Sequence, residues 1–428
     1  AYVVGADGYW FLSDARNWVI NGKLASSRVN GSPALIDTLQ RAAQRYFQRP
    51  DAPEVSLDST RTSLAGYNGR VNVNRNSGTW RFNGSLWGVS PGFEVNDVGF
   101  MGTGDRAGAH AVTTWRKVQP DRLTRSRSFW VAKWYTWNFG RQIQGDGLQG
   151  NAGATLNNYT DLSTGMGLFR RVQDDRLTRG GPSATNPASR FWYFNVNSDQ
   201  RKPLSVQVNT NVNWSESRNS GKSVNLSFSV KPSSRLTMST GPQWNWSHSV
   251  AQYIDQFEDP TATATFGHRY VFGAIDQKQL TLTTRVSVIL TPRVSLQLFA
   301  QPLLATGDYS DFKAFAAPRT YDFSSFGSGR STLTFNASDN QYTADADGNG
   351  PAPSLTFDNP DFNIKSLRAN AVFRWELKPG SNLYVVWTRM QEDDRYPGDF
   401  RLGRDLSAMF SARGDDVFLV KIAYWIGR

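Results

Sequence analysis

The strongest constraint on this 428-residue chain is a set of long runs in which apolar and polar residues alternate strictly. In residues 204–215, Leu, Val, Thr and Trp occupy every second position, and Ser, Gln and Asn fill the positions between them. The segments 223–230, 280–290 and 367–376 repeat the pattern. Because the side chains of a strand point alternately to opposite faces, this period of two predicts β-strands with one apolar and one polar face.

The length of these runs indicates a membrane protein. Strands of soluble proteins most often have about 5–6 residues, whereas a tilted strand that crosses a bilayer needs ~9–11. Tryptophans cluster near predicted strand ends, for example Trp130, Trp134 and Trp137, as in the aromatic girdles of outer-membrane barrels. Residues 417–426 form an aromatic last strand, which is typical of barrels inserted by the outer-membrane assembly machinery.

Connections of two kinds separate the predicted strands. Short turns with a proline occur at 230–236, 290–294 and 377–383, where proline presets the first turn position. Long polar connections cover 27–61, 91–106, 253–265, 304–362 and 391–415. Short turns on one rim and long loops on the other are typical of outer-membrane barrels.

We therefore predict one all-β domain over residues 1–428, a transmembrane antiparallel β-barrel of the outer-membrane type with about 18 strands. Residues 266–290 fit one very long strand or two short ones. Residues 32–48 predict a loop helix that begins at Ser32, with Pro33 in its first turn, and a second short helix is expected near 404–411. A soluble sandwich or propeller is the alternative fold, but a propeller should repeat every ~40–50 residues, and no such repeat is evident.

Three segments resemble a bacterial family of unknown function. They are Ser-Pro-Gly-Phe-Glu-Val-Asn-Asp-Val-Gly-Phe at 90–100, Gly-Asp-Tyr-Ser-Asp-Phe-Lys at 307–313 and Asp-Asn-Pro-Asp-Phe-Asn-Ile-Lys-Ser-Leu at 358–367. The resemblance covers the whole chain. It implies a membrane-associated β-rich region that follows an N-terminal carbohydrate-binding module of the family-nine type.

The resemblance also places residues 2–8 well inside the β-rich region, so further strands are expected upstream. The loop pattern agrees: if the short turns are periplasmic, the first strand runs inward, as though an outward strand came before it. We therefore expect that an upstream segment or a second chain completes the barrel, because an open sheet edge is not tolerated in hydrocarbon.

The sequence offers little catalytic chemistry. The chain has no cysteine and only three histidines, which excludes thiolate metal sites and disulfides, and no Gly-x-Ser-x-Gly, HExxH or Walker motif occurs. We predict no enzymatic activity. One metal signal stands out: Asp345, Asp347 and Asn349 fit the start of a calcium loop, although Thr356 replaces the usual bidentate glutamate and an ordinary Asp/Gly/Asn turn is the alternative.

The net charge of +11 has two interpretations. Loop arginines could bind lipopolysaccharide phosphates, together with outer-membrane lipid; these are Arg122, Arg125, Arg127, Arg170, Arg171, Arg176 and Arg179. Polar-face residues could line a lumen, or only satisfy lumen carboxylates such as Glu376; the candidates are Asn209, Asn211, Asn213, Arg285, Arg368 and Arg374. The basic residues form no clustered stripe, so no nucleic-acid partner is expected.

These features are compatible with two functions. The first is a channel or transporter of the bacterial outer membrane for a solute or a glycan-related polymer, the glycan connection resting on the family resemblance alone. The second is a non-conducting scaffold barrel whose lumen is plugged by loops, with the 304–362 segment as the candidate plug.

Overall fold

The computed structural model describes residues 1–426, and these fold almost entirely into β-structure. The strands are β1 Tyr2–Phe11, β2 Trp18–Asn30, β3 Ser63–Arg75, β4 Trp80–Val89, β5 Arg106–Lys117, β6 Thr124–Trp137, β7 Ile143–Leu156, β8 Asp161–Phe169, β9 Val172–Asp174, β10 Ala184–Asn186, β11 Ser189–Asn197, β12 Leu204–Ser215, β13 Ser220–Ser233, β14 Leu236–Glu258, β15 His268–Thr291, β16 Val294–Phe315, β17 Phe323–Ser325, β18 Thr332–Asn336, β19 Gln341–Asp345, β20 Leu355–Asp358, β21 Phe362–Lys378, β22 Ser381–Asp393 and β23 Gly414–Ala423. The helices are α1 Pro33–Arg41, α2 Leu402–Ser411 and a 3₁₀ helix at Thr263–Thr265.

One sheet of 18 strands dominates the fold. The three-residue strand β17 pairs only with the end of β16, which leaves 17 strands in the main path. These pair antiparallel with their neighbours in chain order, from β1 to β8, then β11 to β16, then β21 to β23. The predicted all-β antiparallel fold and its approximate strand number are confirmed.

Three consecutive strands are much longer than predicted. Residues 268–291 form one strand of 24 residues, β15, and its neighbours β14 and β16 have 23 and 22 residues. The predictions that long connections begin at 253 and 304 were wrong, because β14 continues to Glu258 and β16 to Phe315. The end of β16 was not predicted because residues 307–311 are mostly polar. Backbone pairing with β15 and the burial of Phe312 and Phe315 stabilise this end of the strand.

The connections divide between two rims of the sheet. Strands that alternate in direction place the turns 12–17, 76–79, 118–123, 157–160, 198–203, 234–235, 292–293 and 379–380 on one rim, called here the short-turn rim. Every connection longer than six residues lies on the other rim, called the long-loop rim. The long connections run from 31 to 62, from 90 to 105, from 170 to 188, from 259 to 267, from 316 to 361 and from 394 to 413.

Both predicted helices lie in long connections. Ser32 caps α1 by accepting a hydrogen bond from the Leu35 backbone N–H at 3.3 Å, and Pro33 opens the helix, as predicted. The helix ends at Arg41, seven residues before the predicted end. Helix α2 spans Leu402–Ser411. Within residues 1–426, no helix is both long and apolar enough to span a membrane.

The sheet curls toward its polar face. Asp51, in the connection after β2, lies 4.0 Å from Arg319, in the connection after β16, and the carboxylate of Asp51 also accepts the Ser183 backbone N–H at 3.0 Å. Twelve strands separate the first and last of these connections, which is about 58 Å across a flat sheet at a spacing of ~4.8 Å. Such contacts require strong curvature of the sheet.

The two ends of the sheet are unpaired edges. Within residues 1–426, β1 pairs only with β2, and β23 pairs only with β22. Both edge strands are exposed along almost their whole length. Both edge strands also run from the long-loop rim to the short-turn rim. They share this direction because an odd number of antiparallel strands lies between β1 and β23.

Candidate functional site

The polar face of the curled sheet carries all six predicted lumen residues. Antiparallel residues that lie directly opposite each other share a face, and the register connects Asn209, Asn211 and Asn213 through β13, β14 and β15 to the residues of β16 and β21. Arg285 lies opposite Phe299, and Arg368 and Arg374 lie opposite Gln301 and Ser295. These six side chains therefore project to one side of the sheet.

The three strand arginines have different partners. The Arg285 guanidinium lies over the Phe299 ring, 5.2 Å from its centroid. The Arg374 Nε donates a hydrogen bond to Asn382 Oδ1 at 2.9 Å. Arg368 lies 3.9 Å from Glu392, and both side chains are about 60% exposed (61% and 59%). In this structure Arg374 bonds an amide and Arg368 is loosely held, so these cations remain open to solvent.

The opposite face of the sheet is apolar and exposed. Leu24, Val71 and Leu86 lie on neighbouring strands, and 63%, 54% and 64% of their respective surfaces are accessible. Large apolar side chains exposed on successive strands mark a contact surface for lipid or another protein more often than a solvent-facing surface. Trp130 and Trp134 are exceptions to the predicted girdle, because they lie on the polar face opposite Thr114 and His110.

At the long-loop rim, several connections meet over the polar face and form what we call the cap, comprising residues 31–62, 90–105, 138–142, 170–188 and 316–361. The Ser27 hydroxyl, on the polar face of β2, accepts the Glu94 backbone N–H at 2.8 Å. Val29, on the same face, packs in a buried cluster with Ile36, Phe47 and Leu64. The cap is thus anchored on the polar side of the sheet.

A buried arginine joins the connections of the cap. The Arg49 guanidinium donates hydrogen bonds to Asp105 and Asp175, both at 2.7 Å, and all three side chains are at most 2% exposed. Asp105 also accepts the Phe139 backbone N–H at 2.9 Å. Arg106 binds both oxygens of Asp175, at 2.5 and 2.8 Å. Arg49 thereby ties its own connection to 90–105 and 170–188 directly, and to 138–142 through Asp105.

Glu54 also belongs to this cluster, since its Oε1 lies 3.4 Å from the Arg49 guanidinium, and its pKa shifts in the opposite direction to that of Asp175. Burial alone raises the pKa of Asp175, but hydrogen bonds from Arg106 and the charges of Arg106 and Arg49 outweigh it, so the pKa lies below its ordinary value. Burial raises the pKa of Glu54, and the charge of Asp105 adds to the rise. Glu54 Oε1 accepts a hydrogen bond from Asn138 at 3.1 Å, while Oε2 has no partner within residues 1–426.

The loop arginines fall into two groups at opposite rims. Arg125 and Arg127 lie next to the turn at 118–123 on the short-turn rim, where Arg127 pairs with Asp121 at 2.5 Å. Arg170 and Arg171 lie on the long-loop rim with side chains that are 79% and 67% exposed. Lipopolysaccharide occupies only one leaflet of an outer membrane, so at most one of these two arginine groups could contact it.

The remaining members of the two arginine groups are also placed by the structure. Arg122 is on the short-turn rim. Arg176 is mostly buried in the cap, where it donates to the carbonyls of Ala43 and Gln44. Arg179 lies over the Tyr253 ring, 4.5 Å from its centroid. Arg176 therefore acts within the cap and is not free to bind a phosphate group.

The predicted calcium loop forms a tight turn at the end of β19. Asp345 Oδ1 accepts the backbone N–H groups of Asp347 and Gly348 at 3.1 and 2.8 Å, and Asp347 Oδ2 accepts that of Ala352 at 3.2 Å. No group of three or more His, Cys, Asp or Glu side chains is placed to hold a metal in the part of the chain described. Calcium binding by Asp345, Asp347 and Asn349 stays a prediction.

No sequence pattern pointed to the buried cluster of the cap. Arg49 is 56 residues from Asp105 and 126 residues from Asp175, and no motif links them. Arg49 and Asp105 lie in predicted long connections and Asp175 lies in none, and such a position does not distinguish a buried ion pair from a solvated one.

This chain is similar in sequence to one protein family and similar in fold to several solved structures. A family profile described as a domain of unknown function (DUF5916) matches residues 21–427. No curated protein matches the chain in sequence. Among solved structures, the siderophore receptor PirA from Acinetobacter baumannii is 9% identical with a TM-score of 0.43, over 98% of this chain and 70% of that one.

A variant of the ferric enterobactin receptor PfeA from Pseudomonas aeruginosa is also 9% identical, with a TM-score of 0.39 over 98% of this chain and 69% of that one. These values are too low for either structure to bear on what this chain does. The sequence match, by contrast, extends over nearly the whole sheet and includes the segments 90–100, 307–313 and 358–367. This chain belongs to the DUF5916 family, a family of unknown function.

Proposed function

We propose that this chain forms the wall of a β-barrel in the bacterial outer membrane and that the barrel moves a solute across it. The observation that carries the proposal is the two-faced sheet, whose exposed apolar face suits lipid and whose polar, concave face suits water. On the polar face Asn83 donates to Asn72 at 3.0 Å and contacts the His110 ring, an arrangement suited to a hydrated surface.

The two rims support an orientation. Outer-membrane barrels place short turns in the periplasm and long loops outside the cell. In that orientation the cap faces the exterior, and Arg170 and Arg171 lie at the level of the outer leaflet, where their exposed guanidinium groups can bind lipopolysaccharide phosphates. Arg125 and Arg127 face the periplasm.

The wall needs further strands to close. Bacterial single-chain barrels contain an even number of antiparallel strands, whereas the main path here has 17, and β1 and β23 run in the same direction. An odd number of added strands would restore antiparallel pairing at both edges. An upstream segment or a second chain of different sequence satisfies this condition. A second copy joined edge to edge does not, because two copies in one membrane orientation would bring parallel strands together.

Introduced cysteines test this closure, since the native chain has none. Val4 and Ser26 lie directly opposite each other on β1 and β2, so the Val4→Cys, Ser26→Cys variant should form a disulfide. Val4→Cys combined in turn with cysteines at 416, 418, 420 and 422 of β23 should form none in natively extracted protein. Efficient cross-linking of any β1–β23 pair would show direct closure and refute the proposal.

The cap favours a gated transporter over an open pore. The buried ion pairs of Arg49 join connections that are distant in sequence on the polar side of the sheet. The same observation favours the second candidate function, a scaffold barrel that never conducts. The two differ in one respect: a gate opens when the cap is loosened, whereas a scaffold stays closed.

Conductance in planar bilayers separates the two functions. We expect natively extracted wild-type protein to conduct weakly and the Arg49→Met variant to show steady channels that small neutral polymers enter. The Arg171→Met variant is the matched control and should conduct like the wild type. Silence of both wild type and Arg49→Met, in samples whose circular dichroism shows an intact sheet, would leave the scaffold function in place of transport.

The family-nine-type carbohydrate-binding module stays a prediction from the family resemblance. We infer a link to glycans from this expected module alone. A search of the precursor for such a module upstream of this chain would test the link.

A further inference from the structure

A row of aromatic rings lies on the polar face near the long-loop rim. Phe169, Phe191 and Tyr193 follow each other with ring centroids 5.7 and 6.1 Å apart, and their planes deviate from parallel by 29° and 11°. Trp134 continues the row, 5.9 Å from Phe169. The register places Tyr193 and Phe191 on the same face as the predicted lumen asparagines. We call the rings of Phe169, Phe191 and Tyr193 the platform.

Two glycines on the neighbouring strand β8 leave room for the rings of Phe191 and Tyr193 to lie across the sheet. A Cβ atom on Gly165 would approach the Tyr193 ring to 2.5 Å, and one on Gly167 would approach Phe191 to 2.2 Å. Both glycines are buried beneath the rings, which are themselves only half-buried. The rings of Phe191 and Tyr193 therefore each cover a glycine, and all three rings of the platform keep part of their surface accessible on the polar face.

Neutral amides surround the platform. Asn211 and Asn213 lie directly opposite Tyr193 and Phe191 on β12. Asn151 donates a hydrogen bond of 2.7 Å to the Tyr193 hydroxyl and so orients that group. A cavity of about 430 Å³ opens at the long-loop end of the platform, lined by Phe169, Phe191, Asn211, Asn213, Asn186 and Asn219. Among the described residues, Arg190 is the one charged residue of this lining, and it lies opposite Trp214, so its side chain projects to the apolar face.

This combination selects for a ligand with flat apolar faces and many hydroxyl groups. Open aromatic faces pack against the C–H faces of pyranose rings, and the regular spacing of the platform suits a chain of repeating units. Amides both donate and accept hydrogen bonds, which matches hydroxyl groups that do the same. An anionic ligand would need cations on the polar face, which the described part of this lining lacks, and a purely apolar ligand would leave the amides unpaired.

We propose that the platform and its asparagines bind a neutral oligosaccharide on its way along the polar face. The inference rests on the proposed function in one respect, namely that the polar face lines the passage. The binding itself needs only the folded protein, so it can be measured without transport.

Calorimetric titration of folded, detergent-extracted protein with neutral glucose oligosaccharides of increasing length, α-linked and β-linked, tests the proposal. We expect saturable binding that strengthens with length up to the span of the platform. Phe191→Leu, which keeps an apolar group over Gly167 but removes the ring, should weaken binding about two- to twelvefold, since an aromatic stacking contact contributes ~0.5–1.5 kcal/mol and 1.4 kcal/mol is tenfold. The double variant Phe191→Leu, Asn213→Ala should bind the oligosaccharide more weakly than Phe191→Leu alone.

Trp192→Leu is the matched control, because Trp192 lies on the same strand, adjacent in sequence, and projects to the apolar face. It should bind like the wild type, and Tyr193→Phe, which keeps its ring, should retain most of the affinity. If no oligosaccharide binds, or if Phe191→Leu and wild type bind equally, the rings serve only to stiffen the wall and the proposal fails. Channels without oligosaccharide binding would refute this inference alone, and binding without channels would refute transport alone.

Discussion

Removal of the Arg49 side chain should open the cap while the sheet stays folded. The Arg49→Met variant keeps much of the volume but leaves Asp105 and Asp175 buried, at 1% and 2% exposure, without this guanidinium. Asp175 retains both hydrogen bonds from Arg106, whereas Asp105 retains only the Phe139 backbone N–H. The cost therefore falls on Asp105, which becomes a buried anion with no ion-pair partner among the described residues, and to a smaller extent on Glu54, whose Oε1 loses the longer 3.4 Å contact with Arg49.

The expected magnitude follows from this geometry. Breaking a buried ion pair by removing one partner costs about 3–5 kcal/mol, since the other charge stays buried. Every 1.4 kcal/mol is a factor of ten, so local opening of the cap should become roughly 140- to 3,700-fold more frequent. Peptides that cover residues 45–56 and 170–180 should lose protection from hydrogen exchange by that factor, up to the limit set by intrinsic exchange.

Two variants make the measurement decisive. Arg171→Met removes an exposed partner of Glu216 and should leave exchange unchanged. The double variant Arg49→Met, Asp105→Asn removes the orphaned charge and should recover most of the lost protection, because the amide at position 105 is neutral and costs less to bury than an unpaired carboxylate. Exchange of Arg49→Met at the wild-type rate would refute the role of this cluster, and failure of the double variant to recover would refute the electrostatic cause.

Three further outcomes are expected. Burial and the charge of Asp105 raise the pKa of Glu54, so ionisation of Glu54 opposes folding at pH values above its ordinary pKa. Glu54→Gln should therefore raise the melting temperature by about 1–2 °C at pH 8 and leave it unchanged at pH 4. An equal effect at both pH values would contradict this prediction. Phe272→Ala removes a fully buried ring that contacts Phe323, and should lower the unfolding free energy in denaturant titrations by about 3–5 kcal/mol; an unchanged midpoint would show that the site is not packed. If calcium binds at Asp345, chelation should lower the melting temperature of the wild type but not of Asp345→Ala, and a wild type indifferent to chelation removes the site.

The two faces of the sheet were predictable because they depend on neighbouring residues alone. Alternation in 204–215 and 280–290 specifies which side chains share a face, whatever the strand pairs with. Helix α1 was predictable for the same reason, since the Ser32 hydroxyl and the fixed φ of Pro33 act within one turn. Its end was not, because the chain leaves the helix at Ala42 to reach the buried cluster around Phe47.

Aromatic residues were harder to place. In residues 191–194 every position is aromatic, so the composition is the same on both faces and periodicity gives no direction. The register with β8 and β12 settles the matter, since Tyr193 lies opposite Gly165 and Asn211, and Trp192 lies opposite Met166 and Val212. Trp134 was assigned to the lipid girdle on the same weak signal and lies on the polar face instead.

An all-β chain with amphipathic strands, short turns on one rim and long loops on the other could be inferred from the residues alone, because each of these properties is local to a strand or a turn. The three-dimensional fold was needed to establish which connections meet over the polar face and which edges remain unpaired. Arg49 and Asp175 are 126 residues apart, and they come together because the whole sheet curls, which is a sum over many small strand twists that no segment encodes alone. The unpaired edges likewise depend on the total number of strands, and a single uncertain boundary in the sequence changes that number from odd to even.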